Sequence, residues 1–358
     1  MSAVVSIPRH PADVTPAWLS AALSSRGATV QVAEVEVVAI GTGQTGATYR
    51  VSARYASDPG DLPSTFVIKL PAQDDTVRDR VVIGYRSECA FYSAVVDRVT
   101  VPTPRCFYSE ISADAMEFAL LLADQAPAVQ GDQLAGCDEV EARLAVTALA
   151  GLHAPSWCDP VWLDFPEIPF ARPDEAGAQG MGAVATMSAE ITLERLGHRM
   201  SAEDRETFSA AMGLVTPWLL SEYDRFALLH GDYRLDNLLF DPQRTRVSVV
   251  DWQTLGVGLP ARDLAYFTAT SLDSGLRAAL EGQLVADYHL ALTAGGVGDY
   301  DHESCWRDYR LGALQAPLIS ALGFAFASAT ERGDDMVLTM LRRGCRAIRE
   351  LGTLELIG

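Results

Sequence analysis

The chain has 358 residues, 28 basic against 47 acidic side chains and a formal net charge of −19. Such an excess repels the nucleic-acid backbone and anionic membrane surfaces, so neither is an expected partner. A hydrophobic fraction of 49% supplies core for about two domains at roughly 150 residues each and excludes a disordered chain.

In chain order, Thr15-Pro16 followed by Ala17, Trp18, Leu19, Ala22 and Leu23 predicts a short capped helix ending near Gly27. Residues 30–40 are β-rich and run into Gly41-Thr42-Gly43-Gln44-Thr45-Gly46, a GxGxxG. Beyond it Tyr49, Val51, Ala53 and Tyr55 alternate with Arg50, Ser52 and Arg54, which is the period of a strand. A dinucleotide-binding turn runs straight into a helix, and a Walker loop needs GK[ST], so both are excluded. The glycines then cap a hairpin, either without a ligand or as a flap over nucleotide phosphates. A turn at Asp58-Pro59-Gly60-Asp61 leads to a buried-looking strand at 65–70 that carries Lys69. Helical character follows at 77–96, with Glu88 nineteen residues after Lys69, and strand-like runs at 105–108 and 117–122.

Leu122-Ala123-Asp124-Gln125 opens a polar connection, a natural boundary. Residues 138–153 are helical. Residues 155–187 mix Trp157, Trp162, Phe165 and Phe170 with Pro, Gly and Ala, the composition of a long loop or a broken helical insertion. Residues 203–223 are helical, 247–250 read as a strand, and everything after Leu264 reads as helices with a break at 295–298. The apolar stretch 311–328 contains Gln315, Pro317 and Ser320 and suits a buried helix rather than a membrane span.

The six cysteines contain no CxxC pair and the six histidines no HExxH, which argues against a structural zinc site. The apolar run before Pro8 is too short for a signal peptide. Reduced cysteines and a cytoplasmic location are expected.

Two counts point to chemistry. The basic residues are 27 arginines and one lysine, Lys69, and the chain has one asparagine, Asn237. Where only charge or polarity is needed Arg or Asp/Gln can stand in, so the sites that kept Lys and Asn are candidates for work the substitutes cannot do. Asn237 lies five residues after Asp232, in Leu228-Leu229-His230-Gly231-Asp232-Tyr233-Arg234-Leu235-Asp236-Asn237. A strand then ends in Asp251-Trp252-Gln253. Phosphoryl transfer needs one carboxylate at the attacking hydroxyl, and an amide and a second carboxylate to hold Mg²⁺. Asp232, Asn237 and Asp251 fit those needs in that order.

The HGDxxxxN block and the later Asp resemble the aminoglycoside phosphotransferase and choline kinase-like superfamily, relatives of the protein kinases. The resemblance covers residues 41–267 or so. It implies an α+β, protein-kinase-like fold of two lobes. The first, 1–123, has a five-stranded antiparallel sheet, and the second, 124–358, is mainly helical. It also implies an ATP- and Mg²⁺-dependent transfer to a hydroxyl of a small molecule. Lys69 then looks like the phosphate-binding lysine and Glu88 its helix partner. Gly41, Gly43 and Gly46 look like the nucleotide flap, and the backbone of Leu122 to Asp124 like the adenine contact. Asp232 is the expected catalytic residue, and Asn237 and Asp251 the expected metal ligands. Asp-Trp-Gln looks like the ecdysteroid kinase-like branch, whereas HGDYRLDN looks like phosphotransferase domains that act on hydroxyacyl-CoA thioesters.

Asp263 is expected to cap the next helix and support the catalytic loop, His230 to orient backbone, and Asp236 and Asp241 to serve turns. A nucleotide-binding pseudokinase is the alternative, opposed by the complete set Lys69, Glu88, Asp232, Asn237 and Asp251. A protein kinase is opposed by the eleven residues between Asp251 and Asp263, too few for a peptide platform, and by Gly231 where such kinases carry arginine.

Overall fold

The computed structural model describes residues 5–25, 30–40, 46–221, 224–326 and 330–357, the side chains of 75–81 excepted. These residues form two compact units that are not contiguous in sequence. The first holds Met1–Asp97, Thr103–Ala126 and Asp251–Gln253, and the second Arg98–Pro102, Pro127–Val250 and Thr254–Gly358.

In the first unit, helix α1 (Pro16–Ser24) starts where Thr15 accepts a hydrogen bond from the Trp18 amide and proline fills the first turn. Strands β1 (Val32–Ala39), β2 (Gly46–Tyr55), β3 (Thr65–Pro71), β4 (Cys106–Ile111) and β5 (Phe118–Ala123) pair antiparallel in the order β1-β2-β3-β5-β4. The expected hairpin strands are therefore present, with Ala39 opposite Tyr49. Gly46 begins β2, whereas Gly41 and Gly43 lie outside the described residues. Alternation decides the faces of β3. Phe66, Ile68 and Leu70 are fully buried and pack with Trp18, Leu19 and Leu121 in one core, so Lys69 points to the other face. Helix α2 (Asp75–Ala90) precedes β4 and continues through a π-turn at Phe91–Val95.

The second unit has two small sheets. Strand β6 (Val129–Gln130) pairs with β8 (Leu238–Phe240), which pairs with β9 (Val247–Val249), and β7 (Ala227–Leu229) pairs with β10 (Gly256–Gly258). Around them lie α3 (Glu139–Ser156), α4 (Glu175–Leu196), α5 (Ala202–Gly213), α6 (Val215–Leu219), α7 (Ala261–Ser271), α8 (Ser274–Ala294), α9 (His302–Gly312), α10 (Gln315–Phe326) and α11 (Glu331–Leu351). Side-chain caps open many of them: Asp138, Asp174, Ser201, Asp273, Asp301 and Thr330.

The stretch expected to be a loop or broken insertion resolves into two parts. A short irregular segment spans 157–174, and α4 is a continuous helix from Glu175 despite Gly177, Gly180 and Gly182. Of the aromatics of that segment, Phe170 is exposed, and Trp157 and Trp162 pack within the unit. Trp162 is buried beneath the Arg98 guanidinium, 5.2 Å from its ring centre, and Trp157 lies against Tyr300 at 4.7 Å. All six cysteines are free and four are buried. Among the described residues no helix is long and apolar enough to cross a membrane.

Candidate active site

The first unit brings three of the expected residues together. Lys69 lies on β3, flanked by Thr48 of β2 and Leu120 of β5. Its Nζ donates to Glu88 Oε1 at 2.6 Å and to Asp251 Oδ1 at 2.9 Å. The Glu88 side chain is 1% exposed and that of Lys69 17%. Burial pulls the ammonium down, but the Asp251 and Glu88 charges outweigh it and hold Lys69 above its ordinary value. Glu88 is raised by its burial, against the pull of Lys69, with Asp251 adding a like charge. The lysine is thus held charged while two acids share one cation.

Helix α2 explains why Asp251 belongs to this unit. Gly84, Ser87, Glu88 and Phe91 recur at helical spacing on one face. Ser87 Oγ donates to the Trp252 carbonyl at 2.8 Å, and the Phe91 ring stacks on Trp252 with centres 3.6 Å apart. A Cβ at Gly84 would lie 3.2 Å from Gln253 Oε1. The face is shaped to dock 251–253, and within that segment Asp251 adopts φ +69, left-handed backbone that Asp tolerates better than bulky residues.

The other expected residues gather in the second unit, where β7 runs into the 230–237 loop. Asp232 has both carboxylate oxygens occupied. Oδ1 accepts from the Tyr266 hydroxyl at 2.7 Å, and Oδ2 accepts from Arg234 Nε at 3.1 Å and Asn237 Nδ2 at 3.0 Å. Asn237 Nδ2 also donates to the Asp232 carbonyl at 2.8 Å. Its amide nitrogen is therefore assigned, and Oδ1 has no hydrogen-bond partner among the described residues. A neutral, unpartnered carbonyl oxygen is the donor type that Mg²⁺ accepts.

The loop is fixed from below. Asp263 Oδ2 accepts from the His230 amide at 2.6 Å, and its Oδ1 accepts from the Gly231 amide at 3.0 Å. Asp263 was expected to cap α7, but the residue before that helix is Pro260 and no side chain caps it. Asp263 sits in the first turn and supports the loop instead. His230 orients backbone as expected: Nε2 donates to the Val250 carbonyl at 3.0 Å, and Nδ1 faces the Asp232 amide at 3.3 Å. Gly231 has φ +82, and a Cβ there would come within 2.4 Å of the Thr254 carbonyl. Asp241 holds the turn before β9 by accepting from the Thr245 amide at 2.7 Å. Asp236 accepts from Arg234 Nη1 at 2.5 Å.

At the end of β5, Leu122 is buried and Asp124 accepts from Arg50 Nε at 2.7 Å. Burial raises the Asp124 carboxyl, but the Arg50 bond prevails and holds it below its ordinary value. That side chain is committed to Arg50. Among the described residues no cluster of three or more His, Cys, Asp or Glu could hold a metal. Spacing in the sequence does not reveal Tyr266, nor Gln315, whose Nε2 donates to the Gly231 carbonyl at 3.1 Å. Arg234 stands inside the motif, but its partners become visible only in the fold.

A five-stranded antiparallel sheet followed by a mainly helical unit, with a loop of this construction after β7, defines a protein-kinase-like fold. The sequence profile of the phosphotransferase enzyme family matches residues 36–302, and the chain belongs to that family. A Ralstonia eutropha protein assigned as an aminoglycoside phosphotransferase shares the fold with TM-score 0.54 at 17% identity, over 92% of this chain and 97% of that one. The GDP complex of aminoglycoside 2′-phosphotransferase IIIa matches with TM-score 0.50 at 13% identity, over 92% and 98%. The chain is also 28% identical over 193 residues to acyl-CoA dehydrogenase family member 11 of Gallus gallus. That match covers 51% of this chain and only 22% of the chicken protein.

Proposed function

We propose that the chain transfers the γ-phosphoryl group of ATP, with Mg²⁺, to a hydroxyl of a small molecule. The observation that carries this reading is the single lysine of the chain, held between Glu88 and Asp251. Two of its three donors are engaged among the described residues, and the third is available to a phosphate oxygen. Asp251 and Asn237 Oδ1 would hold Mg²⁺, which keeps waters and phosphate oxygens among its ligands and so needs few from protein. When bound, the ion neutralises charge on the β- and γ-phosphates. The main chain of Leu122 to Asp124 would meet the adenine edge, and Gly41, Gly43 and Gly46 would cover the phosphates.

Asp232 accepts the hydrogen bond of the acceptor hydroxyl. The hydroxyl oxygen bonds to the γ-phosphorus as the bond to the β–γ bridging oxygen breaks. ADP leaves, and the hydroxyl proton passes to Asp232. Three donors already fix the orientation of this carboxylate. Its work is to aim the hydroxyl and take the proton late, as a loose transition state requires. Calorimetry with ATP and with GTP, each with and without Mg²⁺, tests the donor half of the reading. The GDP held by the aminoglycoside 2′-phosphotransferase makes the guanine nucleotide the donor to compare. Absence of millimolar binding of either nucleotide would remove it.

A hydroxyacyl-CoA acceptor is the second reading, favoured by HGDYRLDN and by the match to a protein named for acyl-CoA. Mass spectrometry of a hydroxyl-metabolite panel that includes hydroxyacyl-CoA thioesters separates it from sugar and amino-alcohol acceptors. Six free cysteines fit a reducing, cytoplasmic setting.

A further inference from the structure

An arginine offers its Nε and Nη2 hydrogens along one edge of the guanidinium, and a carboxylate can fill both places. Arg50 closes that edge on Asp124, with Nε at 2.7 Å and Nη2 at 3.3 Å. Arg225 closes it on Asp308, with Nε at 2.7 Å and Nη2 at 2.8 Å. Arg234, two residues after Asp232, leaves it half filled. Its Nε donates to Asp232 Oδ2 at 3.1 Å, but Asp232 Oδ1 is turned to the Tyr266 hydroxyl at 2.7 Å. Its Nη1 is held elsewhere, by Asp236 Oδ2 at 2.5 Å and Met336 Sδ at 3.2 Å. Nη2 is left with no hydrogen-bond partner among the described residues.

The open place adjoins the reacting carboxylate. The Arg234 side chain is 18% exposed and that of Asp232 22%, so both can be approached from outside. A carboxylate oxygen has about two lone-pair sites. On Oδ2 they are taken by Arg234 Nε and Asn237 Nδ2, whereas Oδ1 has one left beside Tyr266. The acceptor hydroxyl therefore meets Oδ1. An oxygen that comes to Nη2 finds no lone pair on Oδ2 to take a proton. The place suits an oxygen without one, and a charged donor favours an anion. Asn237, whose own oxygen is the proposed Mg²⁺ ligand, meets Arg234 on Oδ2, so the open donor and the phosphate-binding side share a neighbour. Arg234 is also the one cation in contact with Asp232 among the described residues. A carboxylate that aims a hydroxyl at a phosphoryl group faces a second anion, and a cation touching both offsets their repulsion.

We propose that Arg234 binds the γ-phosphoryl group, with Nη2 donating to a non-bridging oxygen, while Asp232 Oδ1 holds the acceptor hydroxyl. The assignment rests on the phosphotransferase reading. It makes Arg234 a catalytic residue and not only a support for Asp232.

The test compares two nucleotides that differ by that group, ADP and the β,γ-imido analogue of ATP. Each is titrated by calorimetry into the full chain with Mg²⁺ and without acceptor. Arg234→Gln should weaken the analogue about tenfold, the loss of one charge-assisted hydrogen bond, and leave ADP within about twofold. Arg234→Lys keeps the charge without the fork and should lose less. Tyr266→Phe frees the other oxygen of Asp232 and leaves Arg234 in place, so it should change neither affinity. A melting curve checks the folding of each variant, and Arg234→Lys is the variant read if Arg234→Gln does not fold. An unchanged affinity for the analogue in the variant read, or losses of equal size for ADP and the analogue, overturn the proposal. A Tyr266→Phe chain that loses as much affinity for the analogue also overturns it, because the effect then runs through Asp232. Failure of the unaltered chain to bind either nucleotide removes the phosphotransferase reading and the contact with it. Binding of both without an Arg234-dependent difference removes the contact alone.

Discussion

At the scale of single residues, the site is built from groups whose ordinary substitutes are abundant elsewhere in the chain. Arginine serves 27 positions and lysine one. Lys69→Arg is therefore a sharp test, because the longer planar fork does not fit a point-charge position between Glu88 and Asp251. Turnover is expected to fall by about 10²- to 10³-fold, as on loss of a preorganised electrostatic contact, and steady-state kinetics with saturating acceptor measures it. Tyr266→Phe removes one donor from Asp232 Oδ1 and leaves Arg234 and Asn237 on Oδ2. A bond to a charged group of this kind is worth about 1.5–3 kcal/mol, so kcat should fall roughly tenfold or more while the KM for ATP changes little. Lys69, Asp232, Asn237 and Asp251 could be singled out from residue type and local spacing, and Glu88 through the family resemblance. Tyr266 could not, because it reaches Asp232 across 34 residues and a tyrosine on a helix carries no signal of its own.

At the scale of elements, the glycines of α4 show why local reading fell short. Three glycines in eight residues of a helix with a weak apolar stripe argue against a helix on propensity. Packing overrides propensity at one of them. A Cβ at Gly182 would come within 2.0 Å of Thr216 Oγ1, which itself donates to the Ala178 carbonyl, so α6 can approach α4 only over a bare backbone. Gly180 faces open space. The two positions should respond oppositely to the same change. Gly180→Ala should raise stability by about 0.5–1 kcal/mol, while Gly182→Ala should lower it despite the better helix former. Urea unfolding of the two variants beside the parent chain measures both. The five-stranded sheet was readable because β3 and its neighbours alternate or run continuously apolar between turn residues. The return of 251–253 to the first unit was not, because it depends on one face of α2 meeting a segment far along the chain.

At the scale of the whole molecule, the charge balance has a direct consequence. A net charge of −19 adds self-repulsion to the folded state, and salt screens it within a Debye length of about 8 Å at physiological ionic strength. The melting temperature should therefore rise between 20 mM and about 0.3 M sodium chloride at neutral pH. A fall would mean that the many surface ion pairs outweigh the repulsion. The β-rich first third and helical remainder followed from the order of elements, and the kinase-like fold class from the family resemblance of the HGDxxxxN block. The acceptor did not, because Asp-Trp-Gln and HGDYRLDN point to different substrates. The central claim is phosphoryl transfer with Asp232 at the acceptor hydroxyl. The most direct measurement incubates the chain with ATP, Mg²⁺ and a panel of hydroxyl metabolites and reads phosphorylated products by mass spectrometry, beside Asp232→Ala. The expected result is one class of phosphorylated small molecule, with turnover lower by about 10²- to 10⁴-fold in the variant while ATP still binds. Wild-type turnover in Asp232→Ala, or a chain that neither binds a nucleotide nor phosphorylates any acceptor, would contradict it.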